Sequence, residues 1–177
     1  VLKNEMNLLN CMKINERHIW FMKIHTYKTE IIWTGNSGAG TKNYRSYRRF
    51  HQIKSQDKPV IQGSSDPAFM GDRDRYNPEE LFLASLSTCH MLWYLHLCSE
   101  NNIVVVSYRD EPVGTMCEKK NGSGHFEVVV LNPKVEIKES ENISLAQKLH
   151  HQAGKKCFIA NSCNFPVKHE PVIFISE

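Results

Sequence analysis

The feature that most constrains this chain is the stretch Asn77 to Asn102, which starts as a helix and stays apolar on nearly every face. Asn77-Pro78-Glu79-Glu80 is a helix start by its chemistry. An Asn side chain can accept from the unpaired N–H groups of the first turn, and proline's fixed φ suits the first helical position. Two acids then meet the positive end of the helix dipole. The segment that follows, LFLASLSTCHMLWYLHLCSENN, has no polar stripe on which it could lie against water. Such a helix runs through a core or a subunit interface. Glu100-Asn101-Asn102 marks its end. No unbroken apolar run approaches the roughly 20 residues that span a bilayer, and no membrane partner is expected.

Strands surround this helix. Lys23 to Thr34 alternates as a strand with Ile24, Tyr27, Ile31 and Trp33 as apolar markers, and the turn GNSGAGT follows. Asn43 to Lys54 reads as a second strand, with Tyr44, Ser46, Arg48 and Phe50 on one face and Arg45, Tyr47, Arg49 and His51 on the other. A short edge strand is expected over Pro59–Gln62, then a long polar loop to Pro78. Beyond the helix come a strand region over Ile103–Glu118, a hairpin turn at Asn121–Gly124 and a return strand over His125–Ile137, with Pro133 at an edge or bulge. A second helix spans Ser144–Lys156, with Leu145, Leu149 and Ala153 at helical spacing, and a last strand spans Val167–Ile175. The order β-β-(β)-α-β-β-α-β makes the class α+β. One such domain has too few strands to surround the apolar helix, so an intertwined homodimer is expected.

The chain of 177 residues fits one domain, and 41% apolar with 23% charged residues is the balance of a globular protein, not a disordered one. A net charge of +3 with scattered Lys and Arg offers no basic stripe for nucleic acid. Residues 1–21 lack the apolar run and small-residue cleavage site of an export signal, and read as an N-terminal extension to a domain over residues 22–177. A reducing cytoplasm is the expected compartment. Six cysteines without C-x-x-C or zinc-ligand spacing imply neither a disulfide scaffold nor a metal centre, and no cofactor is expected.

Two of those cysteines matter most. Cys89 lies mid-helix and Cys157 ends the second helix, both in segments that should be buried. A buried thiol is ordinarily inert, with its pKa raised, unless a cation and hydrogen bonds favour the thiolate. Cys89 lies too far from its helix N-terminus for the dipole to serve. A cation would come from Arg45, Arg48 or Arg49 on the second strand. Glu79 could anchor such an arginine, yet ten residues of straight helix, about 15 Å, separate it from Cys89. If both serve one site, the helix breaks or the two come from different chains. His90 points about 100° away from Cys89 around the helix and reads as a core or interface histidine. His150 lies about 10 Å from Cys157 on nearly the same helix face and reads as a surface histidine, with a place at the site entrance as the alternative.

NPEELFLASLSTCHM (Asn77 to Met91), followed by KKCFIANS (Lys155 to Ser162), resembles the OsmC/Ohr family of osmotically inducible and organic-hydroperoxide-resistance proteins, over Met22 to Glu177. The resemblance implies an intertwined α+β homodimer, long central helices wrapped by antiparallel sheets, and thiol-dependent reduction of organic (alkyl or lipid) hydroperoxides. It implies Cys89 as the peroxidatic cysteine, Cys157 as the resolving one and Glu79 as the arginine anchor. Arg45 is the best match to the arginine, with Arg48 and Arg49 left open. It also implies a disulfide between Cys89 and Cys157, recharged by an external dithiol such as a lipoyl protein. Phe158 stands where the hydroperoxide-resistance branch commonly has proline, so the chain is similar to the broader OsmC-like group. The alternatives are a non-catalytic, stress-associated or small-molecule-binding dimer, and a cysteine acyl hydrolase for which no general base is in view.

Overall fold

Asn77 closes a reciprocal cap on the central helix α1 (Pro78–Glu100). Its Oδ1 accepts the Glu80 N–H at 2.8 Å, and Glu80 Oε2 accepts the Asn77 N–H at 3.0 Å. The structure, a computed structural model, describes residues 23–175, and the expected N-terminal extension lies outside the described residues. Helix α1 runs unbroken for 23 residues. By length and average composition it could cross a membrane, although its polar residues leave no unbroken apolar run of that length, as expected. Two of those polar residues are folded back onto the helix. Ser85 Oγ donates to the Phe82 carbonyl at 2.8 Å, and Thr88 Oγ1 donates to that of Ala84 at 2.7 Å. One stripe of the helix is packed against the rest of the chain, burying Leu86, His90, Tyr94, Leu97 and Cys98, while most of its side chains are only partly covered.

Among the described residues nine strands form three small sheets. The first is antiparallel, in the order β1 (Glu30–Trp33), β2 (His51–Lys54), β3 (Ile61–Gly63), so the expected edge strand is present. The two long strands expected there are much shorter. Residues 43–46 form turns and bends instead, tied by Ser46 Oγ donating to the Gly40 carbonyl and by the Arg45 N–H donating to Asn43 Oδ1, both at 2.9 Å, and Tyr47 makes only an isolated bridge to Asn36. Side-chain bonds of Asn and Ser to nearby backbone compete with a strand ladder and win. The expected division of Tyr44 to His51 into two strand faces therefore does not exist.

The other sheets are mixed. One is ordered β4 (Val105–Arg109), β7 (Lys134–Ile137), β9 (Val172–Ile175); the other is β5 (Val113–Glu118), β6 (Gly124–Leu131), β8 (Val167–His169). The pairs β6–β8 and β7–β9 are parallel, a correction to the antiparallel expectation. Helix α2 (Ile143–Lys156) intervenes between them in the chain and brings it back in the same direction. The segments His125–Ile137 and Val167–Ile175 were each expected as one strand. Each is broken in two, at Asn132-Pro133 and at Glu170-Pro171, and its halves serve different sheets. Proline has no N–H to extend a ladder. The neighbours take over: Glu170 N–H donates to the Leu131 carbonyl and Val172 N–H to that of Pro133, both at 2.8 Å.

The core has two parts along α1. Its C-terminal half packs Tyr94, Leu97 and Cys98 against Val135, Ile137, Ala146, Leu149 and Ala153. Its N-terminal half packs Leu86 against Val129 and Leu131, with Phe82 in a cluster of three rings, 5.3 Å from Phe126 and 5.9 Å from Phe165. The buried stripe of α2 is Ala146, Leu149, His150 and Ala153, whereas Leu145 faces solvent. Cys157 continues that stripe past the helix end.

Candidate active site

The two parts of the core leave the middle of α1 between them, and this is where the cysteines meet. Cys89 is half-buried there. Cys157 is the C-cap of α2, its N–H donating to the Ala153 carbonyl at 2.9 Å, and only 1% of its surface is exposed. The two are free thiols that adjoin. Burial first, and then the neighbouring Cys89 thiol, push Cys157 up to about 12, although the Ala160 N–H donates to its Sγ at 3.4 Å. Cys157 is therefore a protonated thiol at neutral pH. Two adjoining thiols can lose two electrons and two protons together and become a disulfide.

Beside them lies a group of histidines that the sequence reading placed only in part. His90 is buried, as expected of a core histidine. His150 is buried completely, contrary to the expectation of a surface side chain. Its Nδ1 lies 2.9 Å from His90 Nε2, and its ring stacks on Tyr94 at 3.8 Å between centroids. Among the described residues its Nε2 has no partner. Burial, then the charge of His169, bring His90 down to about 4. Burial, then His90 and His169, bring His150 down to about 3. The signal for His150 was its spacing: it falls four residues after Ala146 and one after Leu149, inside the apolar stripe.

A cavity of about 270 Å³ opens on Cys157, with His90, His169, Lys155 and Asn161 in its wall. Cys89 is not in that wall. Lys156 is turned elsewhere, its Nζ 5.0 Å from the centre of the Trp93 ring.

The expected charged members stand apart. Arg45 and Arg48 are exposed on the first sheet's turn. Arg49 lies over the rings of Tyr44 at 4.1 Å and Tyr47 at 4.4 Å, and donates to the carbonyls of both residues at 2.8 Å. Glu80, not Glu79, completes the helix cap. Glu79 keeps a buried Oε2 without a partner among the described residues. Among those residues no ion pair or hydrogen bond joins Arg45, Arg48 or Arg49 to Glu79 or to Cys89. Within one chain, then, the structure brings Cys89 and Cys157 together, and leaves Arg45 and Glu79 outside that contact.

Broken mixed sheets around one long helix, with two thiols meeting at its middle, define an α+β thiol protein. A family model described as OsmC-like protein matches residues 71–171. An OsmC-like protein of unknown function from Vibrio cholerae is 30% identical, with a TM-score of 0.75 over 84% of this chain and 100% of that one. The chain belongs to the OsmC-like family. Two further structures share the fold at lower identity. The organic hydroperoxide resistance protein OhrB of Bacillus subtilis is 21% identical, with a TM-score of 0.57 over 85% of this chain and 100% of its own. An organic hydroperoxide resistance protein from Elizabethkingia anophelis is 16% identical, with a TM-score of 0.61 over 87% of this chain and 99% of its own. No curated protein sequence matches the chain.

Proposed function

We propose that this protein is a thiol-dependent peroxidase that reduces organic hydroperoxides to alcohols. The observation that carries the reading is the contact between Cys89 and Cys157, two free thiols held together in the middle of the fold. The Cys89 thiolate attacks the distal oxygen of the hydroperoxide, the O–O bond breaks, and the alcohol leaves with a proton. Cys89 is then a sulfenic acid. The Cys157 thiol displaces its hydroxyl as water and closes the disulfide. An external dithiol, such as a lipoyl group, restores both thiols and becomes a disulfide itself. The apolar neighbourhood of α1 suits an alkyl or lipid hydroperoxide better than hydrogen peroxide.

Arg45 and Glu79 enter this reading through a second copy of the chain. Helix α1 is unbroken, so a Glu79 that serves Cys89 belongs to the other member of a homodimer. The unpartnered Glu79 Oε2 supports this, because a buried carboxylate oxygen calls for a donor, and a guanidinium supplies one. Exposed apolar side chains such as Leu92 (63%) and Phe158 (71%) support an interface on the same side of the molecule as Trp93, whose ring lies 6.0 Å from that of Phe158. A reducing compartment such as the cytoplasm would return the pair to thiols between turnovers.

One stoichiometric dose of cumene hydroperoxide, followed by digestion and mass spectrometry, tests the reading. A Cys89–Cys157 linkage with release of one alcohol is the expected result. Unmodified thiols after the peroxide is added would exclude it.

A further inference from the structure

We propose that the cavity beside Cys157 is the port by which the reducing thiol enters, and that it selects a slender thiol bearing an anionic group, which attacks the Cys157 sulfur of the disulfide. This rests on the two-thiol reading above. The first observation is an asymmetry: the cavity wall includes Cys157 but not Cys89, so a disulfide joining them would offer this space only the Cys157 sulfur. Its volume of about 270 Å³ is small, below the roughly 300–1,000 Å³ of ordinary ligand pockets. The inner wall is apolar, with Leu86 and Val167, and suits an alkyl chain.

The charge of the wall is one-sided. Lys155 contributes a cation, and no Asp or Glu is among the lining residues. Burial brings His90 down to about 4 and lowers His169 as well, and Lys155 is the one lysine or arginine among the lining residues. A carboxylate on the incoming thiol therefore meets attraction and no opposing acid.

The chemistry favours the same sulfur. In thiol–disulfide exchange, a thiol of high pKa is a poor leaving group. Cys157, pushed up to about 12 by burial and its neighbour, leaves badly, whereas it can be attacked. The thiolate adds to Cys157, the Cys89–Cys157 bond breaks, and Cys89 departs with the electron pair. The poor leaving group is thus spared in the step between molecules; the second sulfur of the dithiol then attacks within the same mixed disulfide, where ring closure and uptake of a proton by the departing sulfur release Cys157. The dithiol is oxidised to a ring disulfide and the protein regains two thiols.

Gly154 is a bare helical position in this wall, and a Cβ there would sit 3.4 Å from His169 Cε1, an ordinary contact. A larger side chain would fill the port without reaching the other cysteine's side. The test starts from protein whose disulfide is made with diamide, so that no peroxide is involved. Rate constants for its reduction are measured by stopped flow with dihydrolipoate and with dihydrolipoamide, two dithiols that differ in charge. The native protein should favour dihydrolipoate by about threefold at low salt, the scale of one exposed charge pair, and Lys155→Gln should remove that preference. Gly154→Leu should slow both dithiols by roughly tenfold or more through overfilling. An unchanged preference in Lys155→Gln, unchanged rates in a folded Gly154→Leu, or failure of diamide to link the two cysteines would each overturn the proposal. Lys155 is exposed, so its variant decides the matter even if Gly154→Leu does not fold. If diamide forms the linkage and an organic peroxide does not, the peroxidase reading fails and the port is still judged by these rates.

Discussion

His90 Nε2 and His150 Nδ1 face each other at 2.9 Å across two helices, with their rings nearly parallel at 10°. Both are buried, and one shared proton joins them as neutral imidazoles. Their position has a consequence for stability against pH. His90 is brought down to about 4 and His150 to about 3, each from an ordinary 6.5. The unfolded chain therefore binds protons that the folded protein refuses. Stability should be complete above pH 6.5 and decline as pH falls from there toward 4. The loss between pH 7 and pH 4.5 should be about 2 kcal/mol for each histidine, on the order of 5 kcal/mol for the pair. Urea unfolding at several pH values measures it. A profile flat over that window would mean that the histidines are accommodated as cations.

Cys89→Ser should reduce organic peroxide turnover by on the order of a thousandfold or more, as expected when a nucleophile is removed. Cys157→Ser should still consume one equivalent of peroxide and then stop as a sulfenic acid, trapped by dimedone. Coupled turnover followed with a dithiol reports the first, and intact mass the second. Continued turnover in the Cys89 variant would remove that thiol from the mechanism.

Glu79→Gln keeps the shape of the side chain but not its charge. If its buried oxygen anchors a guanidinium from a second copy, turnover should fall by roughly a hundredfold and dimer dissociation should rise. Arg45→Ala should do the same. Arg49→Ala should instead loosen the turn where its guanidinium lies over Tyr44 and Tyr47. Kinetics with sedimentation velocity separate these results, and an equal loss in the Arg49 variant alone would reassign the arginine.

Asn77→Ala removes one half of the reciprocal cap on α1 and should cost about 1 kcal/mol. Leu86→Ala, at a fully buried position, should cost about 2–5 kcal/mol. Chemical unfolding of the two variants gives both numbers. A cap variant as damaging as the core variant would show that Asn77 has a further role.

Much of the architecture was legible because it rests on local chemistry. The start of α1 follows from what Asn77, Pro78 and Glu80 do to the backbone beside them. The turn at Asn121–Gly124 is of the same kind, with Asn121 Oδ1 accepting the Ser123 N–H at 3.1 Å. The first sheet was read less well, since Asn43 and Ser46 capture backbone groups that alternation alone would assign to a strand. The long strands were misread at Pro133 and Pro171, where each chain segment changes sheets. His150 was misread because a histidine's polarity outweighed its place in an apolar stripe.

The amino-acid order alone determined the two helices, the turns and the two thiol-bearing segments, because hydrogen bonding within a few residues decides them. Only the tertiary structure decided that Cys89 and Cys157 adjoin, that His90 meets His150, and that Cys157, not Cys89, lines the cavity beside the histidines. Those contacts join residues remote in the chain. They arise when apolar faces of α1, α2 and the sheets are buried together, a balance over the whole core that no single segment carries.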